Sequence, residues 1–193
     1  MKKLKFNLVL LIAMLLQLVM IPDVSVAQTT PSFDAFGVVG VSLNNPTSLD
    51  IGPDGRLYVS QQNGMLYAYE IERTSTPSYE VLSTEAIDLV QNIANHNDDG
   101  TDASESTRQV TGLVAAGTAT NPVLYVSSSD PRISVDADSG LDTNSGIITR
   151  LTWNGSSWDK VDIVRGLPRS EENHSTNGMD LDEASNTLYI AQG

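Results

Sequence analysis

The sequence contains no cysteine. That excludes a disulfide framework, thiol nucleophiles, thiolate metal sites and an acylated N-terminal cysteine. Basic residues are scarce, with 11 Lys and Arg against 24 Asp and Glu. A surface of that sign repels nucleic acid and anionic lipid. Only two histidines, His96 and His174, offer a proton-transfer group that works near neutral pH without tuning. The Gly-x-Ser-x-Gly elbow, the His-Glu-x-x-His pair, the phosphate-binding loop and the Gly-x-Gly-x-x-Gly turn are all absent. Serine-hydrolase, zinc-protease and nucleotide-binding readings therefore have no support.

One long hydrophobic run is present, at residues 8–21, broken only by Gln17. Lys2, Lys3 and Lys5 precede it, and Ser25 and Ala27 place small residues at the −3 and −1 positions before Gln28. This is the layout of a secretory signal peptide, residues 1–27, too short for the ~20 apolar residues of a membrane span. The expectation is an exported protein, periplasmic or extracellular, with no membrane association after cleavage. Three of the 11 basic residues and only Asp23 among the 24 acidic ones precede Gln28, so residues 28–193 carry a net charge of −15. Stability must come from packing alone, and a chain of this length can bury a sufficient core.

Repeats organise the remainder. Leu-Tyr-Val recurs at 57–59 and 124–126 and returns as Leu-Tyr-Ile at 188–190, with spacings of 67 and 64 residues. Each instance is the second strand of a hairpin. Pro53-Asp54-Gly55 marks the first turn and Glu183-Ala184-Ser185-Asn186 the third. Two further strands follow in the first two units, signalled by Asn63-Gly64 with alternation around Tyr67 and Tyr69, and by Asn154-Gly155 between two strand-like runs. Four antiparallel strands per repeated unit is the pattern of a β-propeller blade. The expected fold is all-β, with blade 1 at about 40–89, blade 2 at about 110–166 and the start of blade 3 at about 177–193. That is roughly two and a half blades. A β-sandwich with long loops is the competing architecture.

Strand alternation then predicts where the loops go. In each unit the second-to-third connection and the connection to the next unit leave one end, and the short hairpin turns leave the other. The polar, acidic stretches 90–109 and 128–145, together with 167–177, should share one end. Long loops on a rigid scaffold are where function concentrates.

Candidate chemistry lies on those loops. His174, just before the third inner strand, is a candidate general base or a plain loop histidine, and His96 reads as a solvated loop residue. Asp136, Asp138 and Asp142, around Gly140, resemble an oxygen-donor loop for a hard cation such as calcium, or a solvated acidic loop. Asp98, Asp99 and Asp102 offer a weaker version. Arg108 and Arg132 could hold an anionic group or pair with nearby aspartates. The recurring Tyr58, Tyr125 and Tyr189 read as packing residues.

The stretch 167–174, Leu-Pro-Arg-Ser-Glu-Glu-Asn-His, followed by Leu-Tyr-Ile-Ala-Gln-Gly at 188–193, resembles the soluble pyrroloquinoline-quinone (PQQ)-dependent sugar dehydrogenases and the related glucose/sorbosone dehydrogenase propellers. Residues 45–60, the Val-Thr-Gly-Leu at 110–113 and the Arg-Leu-Thr-Trp at 150–153 fit the same family's first blades. The resemblance implies six blades in the full-length protein and PQQ at the loop end with calcium. It also implies a sugar or polyol substrate, oxidised as His174 takes the hydroxyl proton. Asn173 stands where the family often has aspartate, Gly178 where it can carry arginine, and Gln109 is one residue out of register with the family's glutamine. The function expected is an exported quinoprotein-type oxidoreductase. The alternatives are a non-catalytic propeller binding carbohydrate or protein, and a metal-dependent lactonase-like hydrolase. Residues 1–193 alone are expected to lack activity, since the quinone contacts would fall in later blades.

Overall fold

The Leu-Tyr-Val segments and their Leu-Tyr-Ile counterpart become strands because β-branched and aromatic side chains fit a half-buried pleat. In the computed structural model, which describes residues 35–76, 78–133, 142–170 and 174–193, the elements are all strands and no helix occurs among the described residues. The expectation of an all-β chain holds. Residues 1–34, which contain the signal-peptide reading, lie outside the described residues.

Three antiparallel groups follow in chain order. The first comprises β2 (Pro46–Ile51), β3 (Leu57–Gln61), β4 (Leu66–Ser75) and β5 (Ser78–Ile87). β1 (Val38–Val39) adds to β5 in parallel, a short pairing with no signal in the sequence. The second sheet is β6 (Gln109–Gly117), β7 (Pro122–Ser129), β8 (Gly146–Trp153) and β9 (Trp158–Leu167). β10 (Thr176–Asp182) and β11 (Thr187–Gln192) form a hairpin. The turn chemistry explains the reversals. Gly55 and Gly155 take φ of 80° and 100°, and Asn186 sits at 52°, all in the left-handed region that Gly and Asn tolerate.

The first strands of the three groups, β2, β6 and β10, lie side by side without sharing a ladder. Side chains stitch them instead. Asp50 Oδ2 accepts the Ala115 N–H at 2.8 Å, joining β2 to β6, and the Thr111 hydroxyl donates to the Thr176 carbonyl, joining β6 to β10. β6, flanked on both sides, is buried almost throughout, whereas β2 and β10 are largely exposed. The main apolar core fills the space between the first two sheets: Tyr58, Leu66 and Ile87 on one side, Leu113, Leu124 and Leu151 on the other. The outer strand β9 is mostly exposed and carries charged residues, which discourages edge-to-edge pairing.

At the short-turn end a polar network closes the seam between these sheets. Tyr58 donates its hydroxyl to Asp54 Oδ2 at 2.8 Å, and Arg56 Nε donates to the same oxygen at 2.6 Å. Arg56 Nη1 reaches Glu85 Oε2 at 2.6 Å, and Trp158 Nε1 donates to Glu85 Oε1 at 2.8 Å. Burial alone would raise the Asp54 carboxyl, but the hydrogen bonds from Arg56 and Tyr58 outweigh it and hold the group below its ordinary value. Burial and the adjoining Asp54 push the Tyr58 hydroxyl up.

A pH dependence follows. A carboxyl depressed in the folded chain contributes stability that is complete above its unfolded pKa of ~3.9 and lost as pH falls through the folded value. Asp54→Asn should therefore melt below wild type at pH ~6, with the gap closing below pH ~4. Thermal melts across that range check this. A gap that stays constant into strong acid would show that the Asp54 charge contributes nothing.

Candidate functional site

The loops that leave the other end are bound to one another. Their described parts are residues 88–108, 130–133, 142–145, 168–170 and 174–175, and the turn 62–65 joins them. Val110 N donates to Gln62 O at 3.3 Å, and Gln91 Nε2 donates to Asn63 O at 2.9 Å. Thr143 donates its N–H and hydroxyl to Asp98 Oδ1 at 2.8 and 2.9 Å, and Arg169 N donates to Thr143 O at 2.8 Å. The long connections thus form one interlocked layer, at the end that strand alternation assigned to them.

Three arginines bolt this layer together. Arg108 is 1% exposed. Its guanidinium donates to Ser128 Oγ at 3.2 Å, to Asn95 Oδ1 at 2.9 Å and to the Ser145 carbonyl. Burial pushes Arg108 down to about 10, with the charges of Asp130 and Asp142 opposing that shift, so the group is a cation at neutral pH. Arg132 clasps the fully buried Asp130, with Nη2 to Oδ2 at 2.5 Å and Nε to Oδ2 at 2.8 Å. It also reaches Asn97 Oδ1 at 2.6 Å and His96 O at 2.7 Å. Arg169, 2% exposed, donates to the Arg132 carbonyl. Arg132 pairs with Asp130, the aspartate pairing that was one of its two sequence readings, whereas Arg108 bonds neutral groups, which neither reading named. Arg169 was not singled out from sequence; its partner lies 37 residues away, so no local pattern marked it.

His174 is exposed at the head of β10. Its carbonyl accepts the Ser170 N–H at 3.1 Å, and the neighbouring Ser175 carbonyl accepts the Gly193 N–H at 3.2 Å. Gln192 binds this segment as well, donating from Nε2 to Pro168 O at 2.7 Å and accepting from the Thr176 hydroxyl at 3.0 Å. The segment 174–176 is therefore tied to Ser170, Gln192 and Gly193, while His174 itself is exposed. His96 Nδ1 lies 3.5 Å from Asp102 Oδ1, an exposed loop contact.

Asp136 and Asp138 lie outside the described residues. Asp142 accepts the Asn144 N–H at 3.2 Å, and Asp99 Oδ1 is occupied by Thr101 at 2.6 and 2.9 Å. Among the described residues no group of three His, Asp or Glu converges as a metal site. Gln109 Oε1 and Ser129 Oγ, facing each other across β6 and β7, are buried without a hydrogen-bond partner.

The fit to a tricarboxylate quinone can be judged from the donors. Arg108, Arg132 and Arg169 are turned inward on protein acceptors, so these three do not form a cradle for it. What fold and site define, among the described residues, is an all-β scaffold of mainly antiparallel sheets carrying a self-locked loop layer on which His174 is exposed. Comparison with protein-family models, with curated proteins and with solved structures finds no match in any of the three.

Proposed function

We propose that the three antiparallel groups are successive blades of a β-propeller in an exported protein. Its loop end handles a sugar or polyol in the manner of a quinoprotein sugar oxidoreductase. The side-by-side first strands support the propeller, since a radial array puts inner strands next to each other. The position of His174 carries the functional reading: an exposed imidazole just before β10, with its own carbonyl and that of Ser175 hydrogen-bonded. Oxidising a carbinol removes a proton from oxygen and a hydride from carbon. His174 would take the first task, since an imidazole can accept that proton near neutral pH. Hydride acceptance is what a bound quinone would supply, and the arginines described here do not hold one.

A second reading has its own support. Arginines spent on the loops' own carbonyls make a stiff surface suited to binding without catalysis. One experiment separates the two. The intact secreted protein is given PQQ and calcium, and dye reduction is followed across a panel of sugars and polyols. Turnover that falls ~10²-fold or more in His174→Ala, with melting unchanged, is the expected result. Turnover equal to wild type would remove His174 as the base. Sugar binding without any turnover would favour the binding propeller.

A further inference from the structure

The seam between the first two sheets carries two concavities that the loop-end chemistry does not use. One, of about 500 Å³, lies where Asp54, Arg56, Glu70, Thr120 and Pro122 face Trp153. The other, of about 280 Å³, is bordered by Glu85, Asp88, Ser156 and Trp158 and again by Trp153. Trp153 is thus the wall common to both. It packs edge-on against Trp158 with ring centroids 5.5 Å apart, so its indole is held in one orientation.

The chemistry around that ring is specific in kind. Several of the polar groups are already held in place. Arg56 is fixed by Asp54 and Glu85, each at 2.6 Å, with Nη2 unused by those bonds, and Glu70 is held by the Ser83 hydroxyl at 2.9 Å. Carboxylates outnumber the guanidinium, which turns away anionic ligands. A sugar ring meets these terms. Its C–H face lies against an aromatic wall, and each hydroxyl both donates and accepts. Held polar groups also reduce the ordering cost of binding. Two concavities that share one tryptophan offer room for more than one ring.

We propose that this groove, at the seam of the first two sheets, binds a neutral oligosaccharide, with Trp153 as the stacking platform between two subsites. The site is independent of His174 and does not require the protein to be an enzyme.

The test uses the intact secreted protein and calorimetric titration with cellohexaose, xylohexaose and laminarihexaose. At least one should bind with Kd on the order of 0.1–1 mM. Because Trp153 and Trp158 are the chain's two tryptophans, binding should also perturb intrinsic fluorescence. Trp153→Ala should weaken binding about tenfold or more, whereas Trp153→Phe should stay within about threefold, as expected for an aromatic anchor. Should Trp153→Ala fail to fold, Thr120→Trp serves instead. Thr120 is an exposed turn residue, and the larger ring should fill the first concavity and block binding without touching the core. No binding of any of the three glycans overturns the proposal. So does binding that survives both Trp153→Ala and Thr120→Trp, or binding lost in His174→Ala instead.

Discussion

Arg108→Ala is expected to lower the unfolding free energy by about 3–5 kcal/mol, the effect of leaving several buried acceptors without their donor. The guanidinium is a cation at 1% exposure, and among the described residues it makes no ion pair. Its bonds go to Asn95, Ser128 and the Ser145 carbonyl, groups from three different segments. Removing it strands these acceptors, at ~1–3 kcal/mol for each one that water cannot reach. It also opens a cavity where the side chain lay. Relief of the buried charge works the other way. Because burial pushes the group down to about 10, the folded chain carries the cost of that charge throughout the neutral range. The cost diminishes only above pH ~10, where the folded chain sheds the proton before the unfolded one does. The stranded acceptors outnumber the single charge, so the net effect is destabilising. Arg108→Met, which restores volume but no donors, should recover only part of the loss. Urea unfolding checks both: the midpoint should fall with little change in slope. A loss below about 1 kcal/mol for Arg108→Ala would mean that the loop layer holds without its bolt.

That bolt marks where sequence reasoning ends. The strands were legible because period-two alternation and the repeated Leu-Tyr-Val are local signals, and so were the turns at Gly55 and Gly155. The shared end of the long loops was legible because strand direction must alternate. The Arg132–Asp130 clasp spans two positions and could be anticipated as a pairing of neighbours. Arg108 with Ser145, 37 residues apart, could not. Nor could Trp158 with Glu85, 73 residues apart, because such contacts depend on how two sheets face each other. Tyr58, Tyr125 and Tyr189 show the same limit. They share a repeat position, yet Tyr58 is fully buried with Trp158 at 6.2 Å, whereas Tyr189 is 59% exposed. Position in a repeat sets which way a side chain points, and the neighbouring sheet decides whether it is covered. The acidic stretch 98–102 shows a related limit. Asp98 and Asp99 spend oxygens on Thr143 and Thr101, which a charge pattern does not disclose.

Gly112→Val should free the hairpin β10–β11 from the second sheet while leaving the first two sheets intact. A Cβ at Gly112 would stand 2.5 Å from Asn177 O, 2.7 Å from Ser127 Oγ and 3.2 Å from Gly178 Cα. Two of those atoms are backbone of β10, so no side-chain rotation relieves the clash. The backbone at Gly112 has no positive φ, so the effect is steric and not conformational. If β10 moves away, it loses the Ser127 bond to Asn177 O and the Thr111 bond to Thr176 O. Overpacking at ~1–3 kcal/mol and two hydrogen bonds at ~1 kcal/mol each together bring the hairpin close to detachment. Hydrogen exchange should report amide protection in 176–192 reduced ~10²-fold or more, with the amides of β3 and β7 near their wild-type values. Gly178→Ala is the matched control, because a Cβ there meets nothing within 4 Å and should change protection little. The consequence for the two proposed sites differs. His174 sits at the head of β10 and should lose its fixed position, whereas Trp153, on β8, should keep its groove. Hairpin protection unchanged in Gly112→Val would show that β10 is not seated on β6, and the placement of His174 would fall with it.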